Sequence, residues 1–299
     1  MSTVRAYLQL LRFPAVFTAV SDIVLGYVLN HRSLEEGWPK FVLLFISSAS
    51  LYLAGMVLND VFDRGVDAVE RPRRPLPSGR VSVRAAVVLS GLLLLTGVGS
   101  AAAAGLQSLA IAGGIVAAIF LYNGFLKKTV LGPIGMGLCR FLNVMLGASG
   151  HTLALAVWSR YQWQLAAAMG VYIVGVTWFA RNEASNSRPI SLMGALAVIN
   201  LGIGGMIAYV ANFHAGMKTV NSVMISLAVM AMIVNRRLLT TLFQPTPERV
   251  QMSVRMLLYS YLIFEATLIY SKTQDPRIAI ATAAMIIPAT LIGRWISIT

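Results

Sequence analysis

Long apolar runs, broken by short polar stretches, recur from one end of the chain to the other. They cover about 13–30, 41–58, 84–103, 107–122, 131–149, 164–181, 190–211, 220–239, 255–271 and 278–296. A helix that crosses a bilayer needs roughly 20 such residues. Backbone polar groups inside lipid must be satisfied internally, which leaves helices or closed barrels. No extended alternation of apolar and polar residues supports a barrel. The expected fold is therefore all-α: a polytopic bundle of nine or ten transmembrane helices forming a single domain over 1–299. Composition agrees, with 57% hydrophobic and only 12% charged residues. The first run lacks a basic flank followed by a small-residue cleavage site and reads as a retained helix.

A formal net charge of +13 would suggest nucleic acid in a water-soluble chain. Here the cations read as topology, because Lys and Arg concentrate on the cytoplasmic side of membrane proteins. Alternating the loops puts 18 of the 24 on the side that holds the N-terminus. The other side holds Arg32, Lys40, Arg160, Lys218, Lys272 and Arg277. The expectation is an integral protein of a bacterial or archaeal cytoplasmic membrane, binding no nucleic acid, with its N-terminus and longer polar segments cytoplasmic. One cysteine and three scattered histidines argue against a thiolate–imidazole zinc site.

Between the second and third runs lies "NDVFDRGVDAVERPRRPLPSGRVS". Asp60, Asp63 and Asp67 stand at i, i+3 and i+7, one face of a continued helix, and Asn59 pairs with Asp63 at i+4. Aligned carboxylates repel unless a cation lies between them. Hard oxygen donors without sulfur or imidazole select Mg²⁺, which typically bridges carboxylate to substrate phosphate. The arginines that follow, Arg71 and Arg74 among them, suit phosphate oxygens. Together they describe a diphosphate site; the alternative is a solvated loop whose charges only fix topology.

"NDVFDRGVD" followed by "RPRRPLPSGRVS" resembles the first aspartate-rich motif of the UbiA superfamily of intramembrane prenyltransferases. "LYNGFLKKTVLGPIGMG" is similar to that family's segment after the fourth span. The resemblance covers essentially the whole chain. It implies a helical bundle around a central cavity open laterally to lipid, with a cytoplasmic cap over a Mg²⁺–diphosphate site. It departs at the second motif, which is usually acid-rich. Here "TWFARNEASNSRPIS" offers Glu183 alone, beside Asn182, Asn186 and Ser187. In this respect the chain resembles the divergent UbiA-like proteins of Ebo metabolite clusters.

On this basis the chain is expected to move a polyprenyl group from its diphosphate to an unidentified aromatic or lipid-like acceptor, using Mg²⁺. Asn59, Asp60, Asp63, Asp67 and Glu183 are the expected metal ligands. Arg71, Arg74, Lys127, Arg140, Asn143 and Arg188 are the expected substrate-binding residues. Tyr122 offers an aromatic face to an allylic cation, or is an interfacial anchor. Asp22, an acid inside the first run, either meets the acceptor or is satisfied by a neighbouring helix. Glu265 is expected to pair structurally, and "NRRLLTTLFQPTPERVQ" to form an interfacial loop. The alternative function is a non-catalytic carrier of an isoprenoid or secondary metabolite on the same fold.

Overall fold

The computed structural model describes residues 3–31, 34–35, 37–149, 160–181, 189–213 and 220–295. Among them every regular element is helical. In order these are α1 (Thr3–Leu10), α2 (Val16–Asn30), α3 (Trp38–Phe62), α4 (Arg64–Glu70), α5 (Val83–Ala104), α6 (Leu106–Gly124) and α7 (Gly132–Gly147). Then come α8 (Arg160–Ala180), α9 (Pro189–Phe213), α10 (Val220–Phe243), α11 (Pro247–Thr273), α12 (Pro276–Ala284) and α13 (Ile286–Trp295).

Nine segments among the described residues are long and apolar enough to cross a membrane, α12 and α13 together making the last. The last two expected runs are separate spans, and the expected run that is not among the nine is 131–149, which is α7. Its 16 residues span about 24 Å, short of a typical hydrocarbon core. Pro288 explains the break between α12 and α13: it has no N–H to offer the carbonyl one turn back at Ala284. One expectation needs correction. The expected interfacial loop, 235–251, is mostly helix, because α10 runs on to Phe243 and α11 starts at Pro247. Thr246 caps α11 by accepting from the Arg249 backbone N–H at 3.4 Å, and Pro247 occupies the first turn.

α2 is the innermost span and packs on α3, α7 and α11. The outermost are α5, α10 and the α12–α13 pair, whose exposed Leu92, Leu95, Ile225 and Met232 suit a lipid environment. Hydrophobic burial cannot distinguish helix from lipid here, so close backbone approach holds the spans together. Gly26 of α2 lies against α7 so tightly that a Cβ would sit 2.1 Å from the Val144 carbonyl oxygen. Gly147 repays the contact, its Cβ position lying 2.7 Å from the Ile23 carbonyl. On the other face of α7, a Cβ at Gly137 would meet the Gly170 carbonyl of α8 at 2.6 Å. α7 is thereby wedged between α2 and α8.

A second, smaller apolar cluster sits at the end of the bundle where α3 meets α4. Leu76 and Val81, from the turn-rich stretch after α4, bury against Ala6 and Leu10 of α1, Val57 of α3 and Ala86 of α5. Arg80 donates to the Gln9 side chain at 2.8 Å. These contacts hold the 71–82 segment over the end of α3.

Candidate active site

α3 does not run unbroken through its acidic residues. It ends at Phe62, and α4 begins at Arg64. The i→i+4 ladder survives, with Asp63 N–H on Asn59 O at 3.0 Å and Asp67 N–H on Asp63 O at 2.8 Å. Asp63 is the hinge, so the expected single carboxylate face is split. Asp60 and Asp67 turn to one side, where both reach Arg74 Nη1, at 3.3 and 2.7 Å. Asp63 turns to the other and meets Lys127 Nζ at 2.6 Å.

Arg12 closes the group from the opposite side, 3.1 Å from Asp60 and 3.3 Å from Asn59 Oδ1. Asn59 in turn donates to Asn123 Oδ1 at 2.9 Å. Asp60 and Asp67 are buried behind these cations, whereas Asp63 stays partly open. No three carboxylate, imidazole or thiolate groups among the described residues converge on one point. The donor set nevertheless fits a hard cation such as Mg²⁺: Asn59, Asp60, Asp63 and Asp67 supply only oxygen, on successive helical turns.

Asn59 and Asp63 stand at the mouth of a cavity of about 410 Å³, with Asp60 and Asp67 buried behind its lining. Arg12, Arg71, Arg74, Lys127 and Arg181 contribute to its lining, as do Asn59 and Asp63. Tyr122 and Asn123 at the end of α6 line it too. Further in, its walls are apolar: Leu51, Gly55, Ile115, Ile119 and Met136. The α3 residues that line it, from Ser48 through Tyr52 to Asn59, recur every three or four positions, so one stripe of α3 faces the space. Arg140 and Asn143 of α7 form the inner end, where Ser48 donates to Asn143 Oδ1 at 2.8 Å.

Asp22 is absent from the cavity lining, so of its two alternatives the neighbouring helices satisfy it and direct contact with an acceptor is the one to correct. It is wholly buried behind the inner end. Its Oδ2 accepts from Arg140 at 2.9 Å and from Asn143 at 2.8 Å, and its Oδ1 accepts from Tyr261 at 2.5 Å. It therefore positions the two residues that do line the space. Glu265 accepts from Ser21 beside this group, in the structural role expected of it. Glu183 and Arg188 lie outside the described residues.

Two further residues, Arg12 and Tyr52, line the cavity without standing in a motif. Arg12 looked like one more topological charge; it holds φ 45°, a left-handed backbone rare for a side-chain-bearing residue, next to the Phe13–Ala15 turn. Tyr52 stands seven residues before Asn59, and the helical repeat already placed it on the same face.

A family model described as the UbiA prenyltransferase family matches residues 19–287. A digeranylgeranylglyceryl phosphate synthase from Methanopyrus kandleri is 37% identical over 158 residues, 52% of this chain and 56% of that protein. A synthase of the same name from Sulfurisphaera tokodaii is 31% identical over 150 residues, 48% of this chain and 52% of that one. The chain thus spans about half the length of these relatives. Solved structures share the fold. A UbiA homolog from Aeropyrum pernix has TM-score 0.69 at 20% identity, over 85% of this chain and 96% of that one. A UbiA homolog from Archaeoglobus fulgidus, bound to DMAPP and Mg²⁺, has TM-score 0.63 at 19% identity, over 93% and 99%. The chain belongs to the UbiA prenyltransferase family.

Proposed function

We propose that the protein is a Mg²⁺-dependent intramembrane prenyltransferase, one domain over 1–299, which moves a polyprenyl group from its diphosphate to a hydrophobic acceptor. One observation carries the reading: oxygen donors and five cations share the mouth of a cavity whose walls are apolar. An anionic head and an isoprenoid tail need those two surfaces in that order. The names of the relatives support an acceptor of the prenylated glyceryl phosphate type.

Asn59, Asp60, Asp63 and Asp67 would hold the metal, with Glu183 assisting from the following polar segment. Mg²⁺ supplies charge neutralisation on the diphosphate oxygens. Arg12, Arg71, Arg74, Lys127 and Arg188 take up the charge that grows on the leaving diphosphate as the allylic C–O bond breaks. Tyr122, which lines the cavity, would offer its ring to the carbon that becomes cationic. The apolar walls exclude water, which would otherwise compete with the acceptor. In this reading the N-terminus and the aspartate-rich segment face the cytoplasm.

The test is Mg²⁺-dependent release of diphosphate from geranylgeranyl diphosphate by the purified protein, with and without chelator. Release that requires Mg²⁺ supports transfer. Donor bound but never cleaved, across a panel of acceptors, supports the carrier instead.

A further inference from the structure

A cavity for an isoprenoid tail alone would be apolar to its end. This one is not. Its inner end presents the Arg140 guanidinium, on α7 in the middle of the bundle, and the Tyr52 hydroxyl, inside the α3 span. Ionisable groups at such depth are costly and rarely idle.

Arg140 is fixed from behind. Its Nη1 donates to the Thr18 carbonyl at 2.7 Å as well as to Asp22, and its Nη2 donates to Thr18 Oγ1 at 2.6 Å. The rings of Tyr52 and Tyr261 lie 5.4 and 5.6 Å from the guanidinium carbon. Asn143 is used up by Asp22, the Ala19 carbonyl and Ser48. Two donors remain. Arg140 Nε and the Tyr52 hydroxyl make no hydrogen bond among the described residues.

Charge decides what these donors would take. At the mouth, five cations outnumber the one lining carboxylate, Asp63, and the two buried behind it, Asp60 and Asp67, which suits a polyanion. At the inner end Asp22 already balances the guanidinium, so a second anion gains little there and a neutral oxygen gains a hydrogen bond. Tyr52 lies two helical turns from Asn59, about 10 Å along α3, so one ligand head cannot fill both ends.

We propose that Tyr52 and Arg140 form a specificity site for a neutral hydroxyl or ether oxygen of the acceptor, separate from the diphosphate end. This rests on the transferase reading for the word acceptor, but the site itself can be tested alone. The protein in nanodiscs is titrated with a radiolabelled 1-O-alkylglycerol, which carries an ether and two hydroxyls and no charge. A hydrocarbon of equal length is the control, and bilayer phospholipid is present in large excess throughout. Inorganic diphosphate with Mg²⁺ is titrated in parallel.

The alkylglycerol should bind the parent saturably and the hydrocarbon should not. Tyr52→Phe, which keeps the ring, should weaken alkylglycerol binding about fivefold, the worth of one net hydrogen bond. Arg140→Lys, which keeps a charge for Asp22 but has no Nε, should weaken it similarly. Diphosphate binding should stay at the parental level in both. Alkylglycerol binding that is absent, or equal in parent and both variants, overturns the proposal and leaves the cluster a packing device. Loss of diphosphate binding in the parent, with Tyr52-sensitive alkylglycerol binding retained, would sink the transferase reading and leave this site standing.

Discussion

Lys127 and Asp63 meet at 2.6 Å across the gap between the turn after α6 and the hinge between α3 and α4. The contact joins the two motifs that carry the family resemblance and places one cation and one carboxylate at the cavity mouth together. Asp63→Asn should therefore lower Mg²⁺-dependent binding of inorganic diphosphate about tenfold or more, the range of one charge-assisted interaction. Lys127→Gln should lower diphosphate affinity without removing its Mg²⁺ dependence. Calorimetric titration of both, with a melting profile to confirm folding, checks this. Parental affinity in Asp63→Asn would return the aspartates to a purely topological role.

Asp22 and Arg140 form a buried pair whose members are 118 residues apart in sequence. Removing either partner strands the other, at a cost of about 3–5 kcal/mol. Asp22→Asn and Arg140→Met should each lower the unfolding midpoint in graded SDS. The double variant should cost less than the two singles added, because nothing is then left unpaired. Strict additivity would mean that the pair does not form.

Gly26→Ala and Gly147→Ala should both destabilise the bundle, since each new Cβ would fall within 3 Å of backbone across the α2–α7 contact. Gly113→Ala is the control. Nothing lies within 4 Å of its Cβ position, and alanine suits a helix interior better by roughly 1 kcal/mol. Thermal unfolding in detergent should separate the first two variants clearly from the third.

Ser78→Cys and Lys128→Cys, in a Cys139→Ala background, should react with a membrane-impermeant thiol reagent from one side of the membrane. Leu106→Cys, at the exposed turn between α5 and α6, should react from the other. Labelling of Ser78 and Lys128 from opposite sides would break the shared mouth on which the proposed function rests.

The sequence alone determines the helical bundle, the order of its spans and the position of the aspartate-rich motif at the end of the second long span. These follow from run length and helical repeat, which are local properties that neighbours do not alter. Periodicity also places Tyr52, Asn59 and Asp63 on one face of α3. It cannot say what that face meets. Whether Asp22 touched a ligand or a helix depended on how closely α2 approaches α7, and that distance is set by Gly26 and Gly147, four and seven residues from the polar groups concerned. The same holds for the cations. Arg12, Arg74 and Lys127 sit in three separate stretches, and only the packing of α1, the 71–82 segment and the turn after α6 brings each to its carboxylate. Spacing along a chain fixes which way a side chain points; the partner it finds is a property of the packed bundle.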